Sequence, residues 1–350
     1  MKKVETKIID GINYRKCNKC GEFKQLDEYY QKNKNNPNWI DSICKPCRKV
    51  KSTKRQHTLK EEINIKRREK ILNDKGLKSP FNYIGNKYSR LNEIKENVPN
   101  NINTFIDLFC GSTTVAINME ANNYIVNDID SKLIEFLKLC QNSDPDIICE
   151  STQDIINSFD ANSEQGYIKL RDHYNQVDQN PYIYYALTCN AFNQHLMYNK
   201  SGGVTTGYGS GVANFNFILK KRIKEYSDRI KSIDIQFLNN NYLDILNRKF
   251  EKGDFVFVDP PYLMSNSSSR YYSNWTENDE FLLLRRLDDL TNIGVNFMLT
   301  NVLKSKGEKN NILDTWRFNY NTIELDSNFN RVSRNHENVN KSEEVMIMNY

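Results

Sequence analysis

The chain has 350 residues, 27% of them charged, with 49 Lys+Arg against 44 Asp+Glu and a net charge of +5. That length predicts two folded units, and no apolar run approaches the roughly 18 residues a membrane-spanning helix requires, which excludes a helical membrane protein. Residues 1–11 are charged without an apolar stretch, so no secretory signal is expected. Eight cysteines in that setting predict a reducing, cytoplasmic environment rather than a disulfide framework.

The charge is unevenly placed. Residues 1–75 hold 21 Lys+Arg and 10 Asp+Glu, a net of +11, whereas the remainder holds 28 and 34, a net of −6. A basic head on an acidic body points to a polyanion partner for the head, with a solvated charged face as the competing reading.

In chain order, the first motif is Cys17-x-x-Cys20 followed, after 23 residues, by Cys44-x-x-Cys47. Each pair sets two thiolates on a tight turn, and two such turns close a tetrahedral, structural Zn²⁺ site. Phe23, Tyr29, Tyr30 and Trp39 lie between the pairs and are expected to pack around the metal. Residues 48–70 then contain ten Lys+Arg against three Glu, beginning with Arg48, Lys49, Lys51, Lys54 and Arg55. A long exposed helix lying along DNA phosphates is expected there. The head resembles the small four-cysteine modules found beside HNH-type nucleases. His57 is its only histidine, so the resemblance implies a DNA-binding appendage rather than a nuclease, with a protein-interaction module as the alternative.

Asn73-Asp74-Lys75-Gly76 reads as a linker, dividing the chain into a head, 1–75, and a body, 76–350. Residues 104–110 read as a buried strand, followed by a Gly-Ser-Thr-Thr turn and an apolar helix from about Thr114. Residues 124–126 form a second strand, ending at Asn127-Asp128. Helical patterns then alternate with apolar strands at 233–238, 255–258, 295–300 and 345–348. This alternation predicts an α/β fold with a Rossmann-like, doubly wound, mostly parallel sheet. Residues 182–199 read as an aromatic-rich helix running into a glycine-dense hairpin or loop at 202–209. A basic helix with Lys220, Lys221 and Arg222 comes next. An insertion of this kind, about 165–235, is where substrate-reading loops sit.

Asp107-Leu108-Phe109-Cys110-Gly111 ends a strand at a glycine turn, and Asp128 lies 21 residues further on. The dinucleotide fold places its ribose-binding acid about 20 residues beyond such a turn. Ser112-Thr113-Thr114 breaks the full glycine motif. The site therefore suits S-adenosylmethionine, which has a ribose but no pyrophosphate, with an unspecific nucleotide fold as the alternative. The most informative stretch is Asp259-Pro260-Pro261-Tyr262, directly after the apolar run Phe255-Val256-Phe257-Val258. Proline fixes φ and removes a donor. A carboxylate beside a proline carbonyl can then receive both hydrogens of a flat exocyclic amine, and Tyr262 can stack on the ring that bears it. That arrangement suits transfer to a nucleobase amine.

With these motifs in view, the body resembles a Dam-type, D12-class DNA adenine N6-methyltransferase over residues 79–350. The matching stretches, in the family's order, are Phe81-Asn82-Tyr83-Ile84-Gly85-Asn86-Lys87, Asp107 to Gly111, Tyr198-Asn199-Lys200-Ser201-Gly202, Asp259 to Tyr262, and the ending Glu344 to Tyr350. The resemblance implies methyl transfer from S-adenosylmethionine to a flipped-out adenine in double-stranded DNA. It implies that Tyr83, Lys87, Asp128 and Asp259 contact the donor, joining Asp107 and Gly111 from the spacing argument. It further implies that Asp259, Pro260, Pro261 and Tyr262 hold the adenine, and that Tyr198, Asn199 and Lys200 reach DNA. A prokaryotic or phage setting and a cognate restriction endonuclease acting on the same site fit this family. Asn86 and Thr113 stand where the family often has glycine. Three rivals stay open: an amino-methyltransferase of another substrate, cytosine N4 or an RNA adenine; a zinc-dependent DNA-binding regulator with an inactive body; and a nuclease driven by the head, which the missing histidines count against. Residues 265–275 are a candidate lid, and His173, His195 and His336 receive no role.

Overall fold

In the computed structural model the described residues are 5–9, 11–31, 40–49, 76–83, 85–199, 201–210, 214–263, 275–305, 307–325 and 342–350. They fall into two units, Met1–Asp74 and Lys75–Tyr350.

In the first unit, strands β1 (Thr6–Ile9), β2 (Ile12–Lys16) and β3 (Phe23–Gln25) form an antiparallel sheet. Strand β4 (Tyr29–Gln31) pairs with β5 (Ile40–Cys44), and the described part of helix α1 covers residues 45–49. The buried cluster consists of Cys17, Tyr29 and Cys44. So small a core supplies little apolar stabilisation, and a unit of this size needs a staple. Lys51, Lys54, Arg55, Trp39 and the rest of the expected basic helix lie outside the described residues.

The second unit is built on an eight-stranded sheet. Its order is β12 (Asn321–Leu325), β13 (Glu343–Met348), β10 (Asn296–Ser305), β9 (Phe255–Val258), β6 (Ile102–Asp107), β7 (Ala121–Asn127) and β8 (Ile235–Leu238), with β11 (Glu308–Lys309) on β10. Strands β8, β7, β6, β9 and β10 are parallel, and β13 runs antiparallel to both its neighbours. The sheet is therefore mostly parallel, as the alternating pattern predicts. The chain winds outward from β6 through β7 to β8, then returns to β9 on the other side of β6. Beyond the carboxyl ends of β6 and β9 lies the switch point, where open α/β sheets bind ligands.

Strand β9 is buried along its whole length because both faces are covered. Phe255 and Phe257 enter one apolar cluster with Phe105 and Phe237, while Val256 and Val258 enter the other with Ile106 and Phe297. Helices α2 (Leu91–Asn97), α3 (Ser131–Asn142), α4 (Pro145–Phe159), α5 (Glu164–Gln176), α6 (Pro181–Asn190) and α7 (Phe217–Lys231) supply the first cluster. Helices α8 (Tyr242–Leu246), α9 (Glu277–Asn292) and α10 (Asn311–Trp316) supply the second. The helix starts carry local signals. Asn180 caps α6 immediately before Pro181, and Thr276 with Asp279 forms a capping box on α9.

Three local expectations are corrected. The helix expected from about Thr114 is a single 3-10 turn, Ala116–Asn118. Asn118 Nδ2 donates to the carbonyls of Thr114 and Leu77, both at 2.8 Å, and the chain enters β7 at Ala121. A side chain that competes for backbone acceptors in this way stops a helix. The helix expected over 182–199 ends at Asn190. Asn193 and Gln194 then take left-handed φ values of 56° and 54°, and the bridges Ala191–Tyr208 and Tyr198–Val204 fold residues 191–208 into an antiparallel excursion. The strand expected at 295–300 continues to Ser305, because β13 pairs along it as far as Lys304. Among the described residues, no helix is long and apolar enough to cross a membrane.

Candidate active site at the switch point of the sheet

Strand β9 ends at Val258, so the tetrapeptide begins at Asp259, where the sheet opens. Lys87, from a 3-10 turn far earlier in the chain, places Nζ 2.6 Å from Asp259 Oδ2. The other oxygen, Oδ1, accepts hydroxyl hydrogen bonds from Thr300 on β10 (2.8 Å) and from Tyr262 (3.1 Å). Lys87 Nζ also donates to the Gly85 carbonyl at 3.0 Å and lies 5.2 Å from the centre of the Tyr262 ring. Burial alone would lower the Lys87 ammonium, but Asp259 and Tyr262 outweigh it and its pKa is raised. The Tyr262 phenol is raised by burial and then by the charge of Asp259.

The glycine turn faces this group. Gly111 has φ +46°, and a β-carbon there would sit 2.9 Å from Cδ1 of Tyr83, so the aromatic ring lies flush on the turn. Gly111 N–H donates to Asp128 Oδ2 and Asp130 N–H to Asp128 Oδ1, each at 2.9 Å. These contacts orient the carboxylate. Asp107 is buried, and its Oδ1 has no hydrogen-bond partner among the described residues. Burial, then the charges of Asp259 and Asp128, push its carboxyl well up.

Both glycine substitutions are accounted for. Thr113 takes φ 57°, the left-handed backbone that favours glycine, and its hydroxyl contacts the Ser112 carbonyl (2.7 Å) and the Tyr226 hydroxyl (2.9 Å). Asn86 has φ −57°, and its side chain accepts from Tyr88 N–H and donates to the Tyr83 carbonyl. It braces the loop where no positive φ is required.

Beside the turn lies a cleft of about 170 Å³ whose lining includes Phe109, Asp128, Ile129, Tyr242, Pro261 and Trp275. The rings of Phe109, Tyr242 and Trp275 form a triangle with centroids 5.4–5.7 Å apart. Asn127 ties the strand ends behind it, donating to the carbonyls of Leu108 and Asn240 and accepting from Asn240 N–H. Sequence reasoning missed Ile129, Tyr242 and Thr300 as site residues, gave Phe109 no role, and placed Trp275 only at the end of a candidate lid. The run Asn239-Asn240-Asn241-Tyr242, directly after a parallel strand, was the available signal for part of this wall. Of the candidate lid, only Trp275 falls within the described residues.

In the first unit, the Sγ atoms of Cys17, Cys20, Cys44 and Cys47 all lie within 4.8 Å of one another. Four sulfurs at that spacing could hold one metal ion. Burial works to raise the Cys17 thiol, yet backbone N–H groups of Cys20, Cys44 and Lys19 outweigh it and bring it down to about 6. Cys47 is pushed up to about 12, chiefly by its neighbour Cys44. Tyr29 packs in this cluster, Phe23 is half-buried and Tyr30 is exposed.

The DNA-contact candidates are dispersed. Asn199 Oδ1 accepts Gly203 N–H and the Ser201 hydroxyl, both at 2.8 Å, and so shapes the turn beside Tyr198; Lys200 is outside the described residues. Lys220 and Lys221 line a different groove with Asp146, Glu150 and Asp154, and Lys221 lies 3.6 Å from Glu225. Arg222 is half-buried near Tyr88 and Tyr185, where burial lowers its pKa. Arg48 Nη2 is 2.6 Å from the buried Asp41, and Lys49 ends the described part of α1.

A mostly parallel sheet with a cleft at its switch point, next to a carboxylate cup, is the architecture of a methyltransferase-type α/β fold. Residues 83–331 match the D12 class N6 adenine-specific DNA methyltransferase family, and the chain belongs to it. It is 32% identical over 284 residues to modification methylase StsI of Streptococcus sanguinis, covering 79% of this chain and 43% of the relative. It is 31% identical over 280 residues to type II methyltransferase M.FokI of Planomicrobium okeanokoites, covering 78% and 43%. For modification methylase LlaI of Lactococcus lactis subsp. lactis the identity is 30% over 257 residues, covering 70% and 41%. The chain thus spans less than half the length of these relatives.

Proposed function

We propose that this chain is a site-specific adenine N6-methyltransferase acting on double-stranded DNA. The observation that carries the reading is the position of Asp259: at the switch point, beside an aromatic cleft, with Oδ1 fixed by two hydroxyls and Oδ2 on the Lys87 ammonium.

The residues present fit S-adenosylmethionine. The aromatic triangle offers faces for an adenine ring, the carboxylate of Asp128 lines the cleft where it can accept from ribose hydroxyls, and Gly111 with Tyr83 shapes a close backbone approach. Asp107, buried with an oxygen unpartnered among the described residues, suits the ammonium of an amino-acid tail. When bound, the donor supplies an electrophilic methyl group.

The protein's own groups prepare the acceptor. An aromatic amine is a weak nucleophile because its lone pair is delocalised into the ring. Asp259 Oδ2 and the Pro260 carbonyl would accept its two hydrogens and favour a tetrahedral nitrogen. Preorganised acceptors facing developing charge in a dry site are worth on the order of 2.7–4 kcal/mol, by analogy with oxyanion donors. Lys87 also donates to Oδ2, and a carboxylate oxygen can accept more than one hydrogen bond, so the entering amine would share that oxygen with the ammonium. Extruding the base costs a few kcal/mol, and stacking on Tyr262 offsets roughly 1–3 kcal/mol of it.

For the first unit the reading is a structural zinc module that adds phosphate contacts, supported by the four-sulfur cluster and the basic sequence after it. The relatives' names as modification methylases support a role beside a restriction endonuclease that reads the same site. The deciding experiment is nucleoside analysis of duplex DNA incubated with the protein and S-adenosylmethionine. N6-methyladenine is expected. N4-methylcytosine, or no methylated nucleoside with any duplex, would reject the proposal.

A further inference from the structure

Glu280 is a carboxylate with no exposed surface, on the inner face of α9 beside Leu283, Leu284 and Leu287. A buried carboxylate is costly unless every lone pair is served, and an apolar residue of similar volume would pack there more cheaply. Its partners are specific. Oε1 accepts from Asn301 Nδ2 and Asn310 Nδ2, both at 2.9 Å, and Oε2 accepts the indole N–H of Trp275 at 2.7 Å. Burial raises its pKa, and the three donors oppose that rise.

These partners lead to the candidate site. Trp275 is one side of the aromatic triangle, 5.7 Å from Phe109 and 5.5 Å from Tyr242, and lines the cleft. Asn301 comes directly after Thr300, and successive strand residues point to opposite sheet faces. One turns to Glu280 while the other holds Asp259 Oδ1 at 2.8 Å. Asn310 caps α10 by accepting from Leu313 N–H, which fixes the amide that faces Glu280. An indole has one N–H donor. The acceptor it finds in Glu280 sets the ring's rotation about the cleft, something packing against two other rings leaves loosely specified.

We infer that Glu280 is a positioning residue for the methyl donor: it locks the indole of Trp275 as a wall of the nucleotide cleft through the Trp275 N–H to Glu280 hydrogen bond. This rests on the methyltransferase reading of the cleft. Glu280 touches no reacting atom, and its effect passes through Trp275.

The test is direct binding of S-adenosylmethionine and S-adenosylhomocysteine to the full chain by calorimetry, alongside tryptophan fluorescence and steady-state kinetics. Glu280→Gln keeps size but turns an amide donor toward one of the three donors that now face the carboxylate. Trp275→Phe keeps a ring and removes the N–H. Each is expected to weaken donor binding and raise the KM for the donor about tenfold, with kcat and the KM for DNA within about twofold. The double variant is expected to match either single one, because both break the same bond. The fluorescence change on donor binding should vanish in Trp275→Phe and shrink in Glu280→Gln. If Trp275→Phe binds both ligands as the wild type does, the inference is overturned. It is equally overturned if the two losses add. Absence of donor binding by the wild type would remove the methyltransferase reading as well, which separates the two failures.

Discussion

Lys87 and Asp259 lie 172 positions apart in the chain, yet Nζ and Oδ2 meet at 2.6 Å at the mouth of the sheet's switch point. The ion pair is almost enclosed, with the lysine side chain 8% exposed and the aspartate 17%. Breaking a pair of this kind strands an uncompensated charge. The residue expected to hold the substrate amine therefore also contributes to folding.

This changes how Asp259 should be tested. Asp259→Ala is expected to lose methylation and also to lower Tm, because Lys87, Thr300 and Tyr262 all lose their acceptor. Asp259→Asn keeps the shape and an acceptor oxygen, so its Tm should fall less than that of Asp259→Ala, although Lys87 still loses its counter-charge. The variant's kcat is expected to fall about 10²–10³-fold, the range for removing one preorganised polar group. Stopped-flow or steady-state turnover on adenine-containing duplex checks it; turnover near the wild-type value would remove Asp259 from the proposed role.

Thr300→Val should separate orientation from charge. The hydroxyl that fixes Asp259 Oδ1 is lost while the buried volume is kept. A hydrogen bond to a charged group contributes about 1.5–3 kcal/mol. A fall in kcat of at least tenfold is expected, with the KM for the donor unchanged. A change confined to KM would place Thr300 in donor binding instead.

Gly111→Ala is expected to weaken donor binding and lower stability together. The new β-carbon would press on the Tyr83 ring at 2.9 Å, on a backbone of positive φ. Alanine at an incompatible φ destabilises by more than about 1 kcal/mol. Thermal melts with and without S-adenosylhomocysteine measure both effects, and an unaltered ligand-induced shift in Tm would contradict the close approach.

The head supplies a test that does not involve methylation. Elemental analysis of the purified chain is expected to find one zinc per molecule, lost in Cys44→Ser or on chelation. Removing residues 1–74 should weaken DNA binding and make log Kobs fall less steeply with log salt, by about 0.9 for each phosphate contact removed. An unchanged slope would take the head out of the DNA interface.

Asp130 gives a pH dependence of defined sign. It caps α3 by accepting from Lys132 and Leu133 N–H, while burial and the neighbouring charge of Asp128 raise its carboxyl to about 7. A raised folded pKa favours the protonated form, so this contribution is complete below the unfolded carboxylate value near 4 and is lost as pH rises through about 7. Asp130→Asn stays neutral and still offers a capping oxygen. It should be more stable than the wild type at pH 8, by an amount on the order of a few kcal/mol, with the difference disappearing near pH 4. Denaturant titrations at the two pH values decide this. A difference independent of pH would show that Asp130 is charged throughout.

Much of this molecule was legible in its residue order. Continuous apolar runs such as Phe255 to Val258 mark a strand covered on both faces, because only burial on both sides tolerates four apolar side chains in succession. Paired cysteines, the glycine at the turn and the rigid Asp259-Pro260-Pro261 step announce chemistry through covalent constraint, which is local by nature. Where a side chain overrode the local pattern, as Asn118 did in stopping the helix after Thr114, the sequence misled. The roles of Thr300, Trp275 and Glu280 could not be read in advance either. A buried hydroxyl or carboxylate gains its meaning from whichever donor or acceptor the folded sheet sets beside it, and those partners come from strands and helices far apart in the chain. Residue order determined which elements form and which groups can react; only the closing of parallel strands around one switch point decided which of them meet.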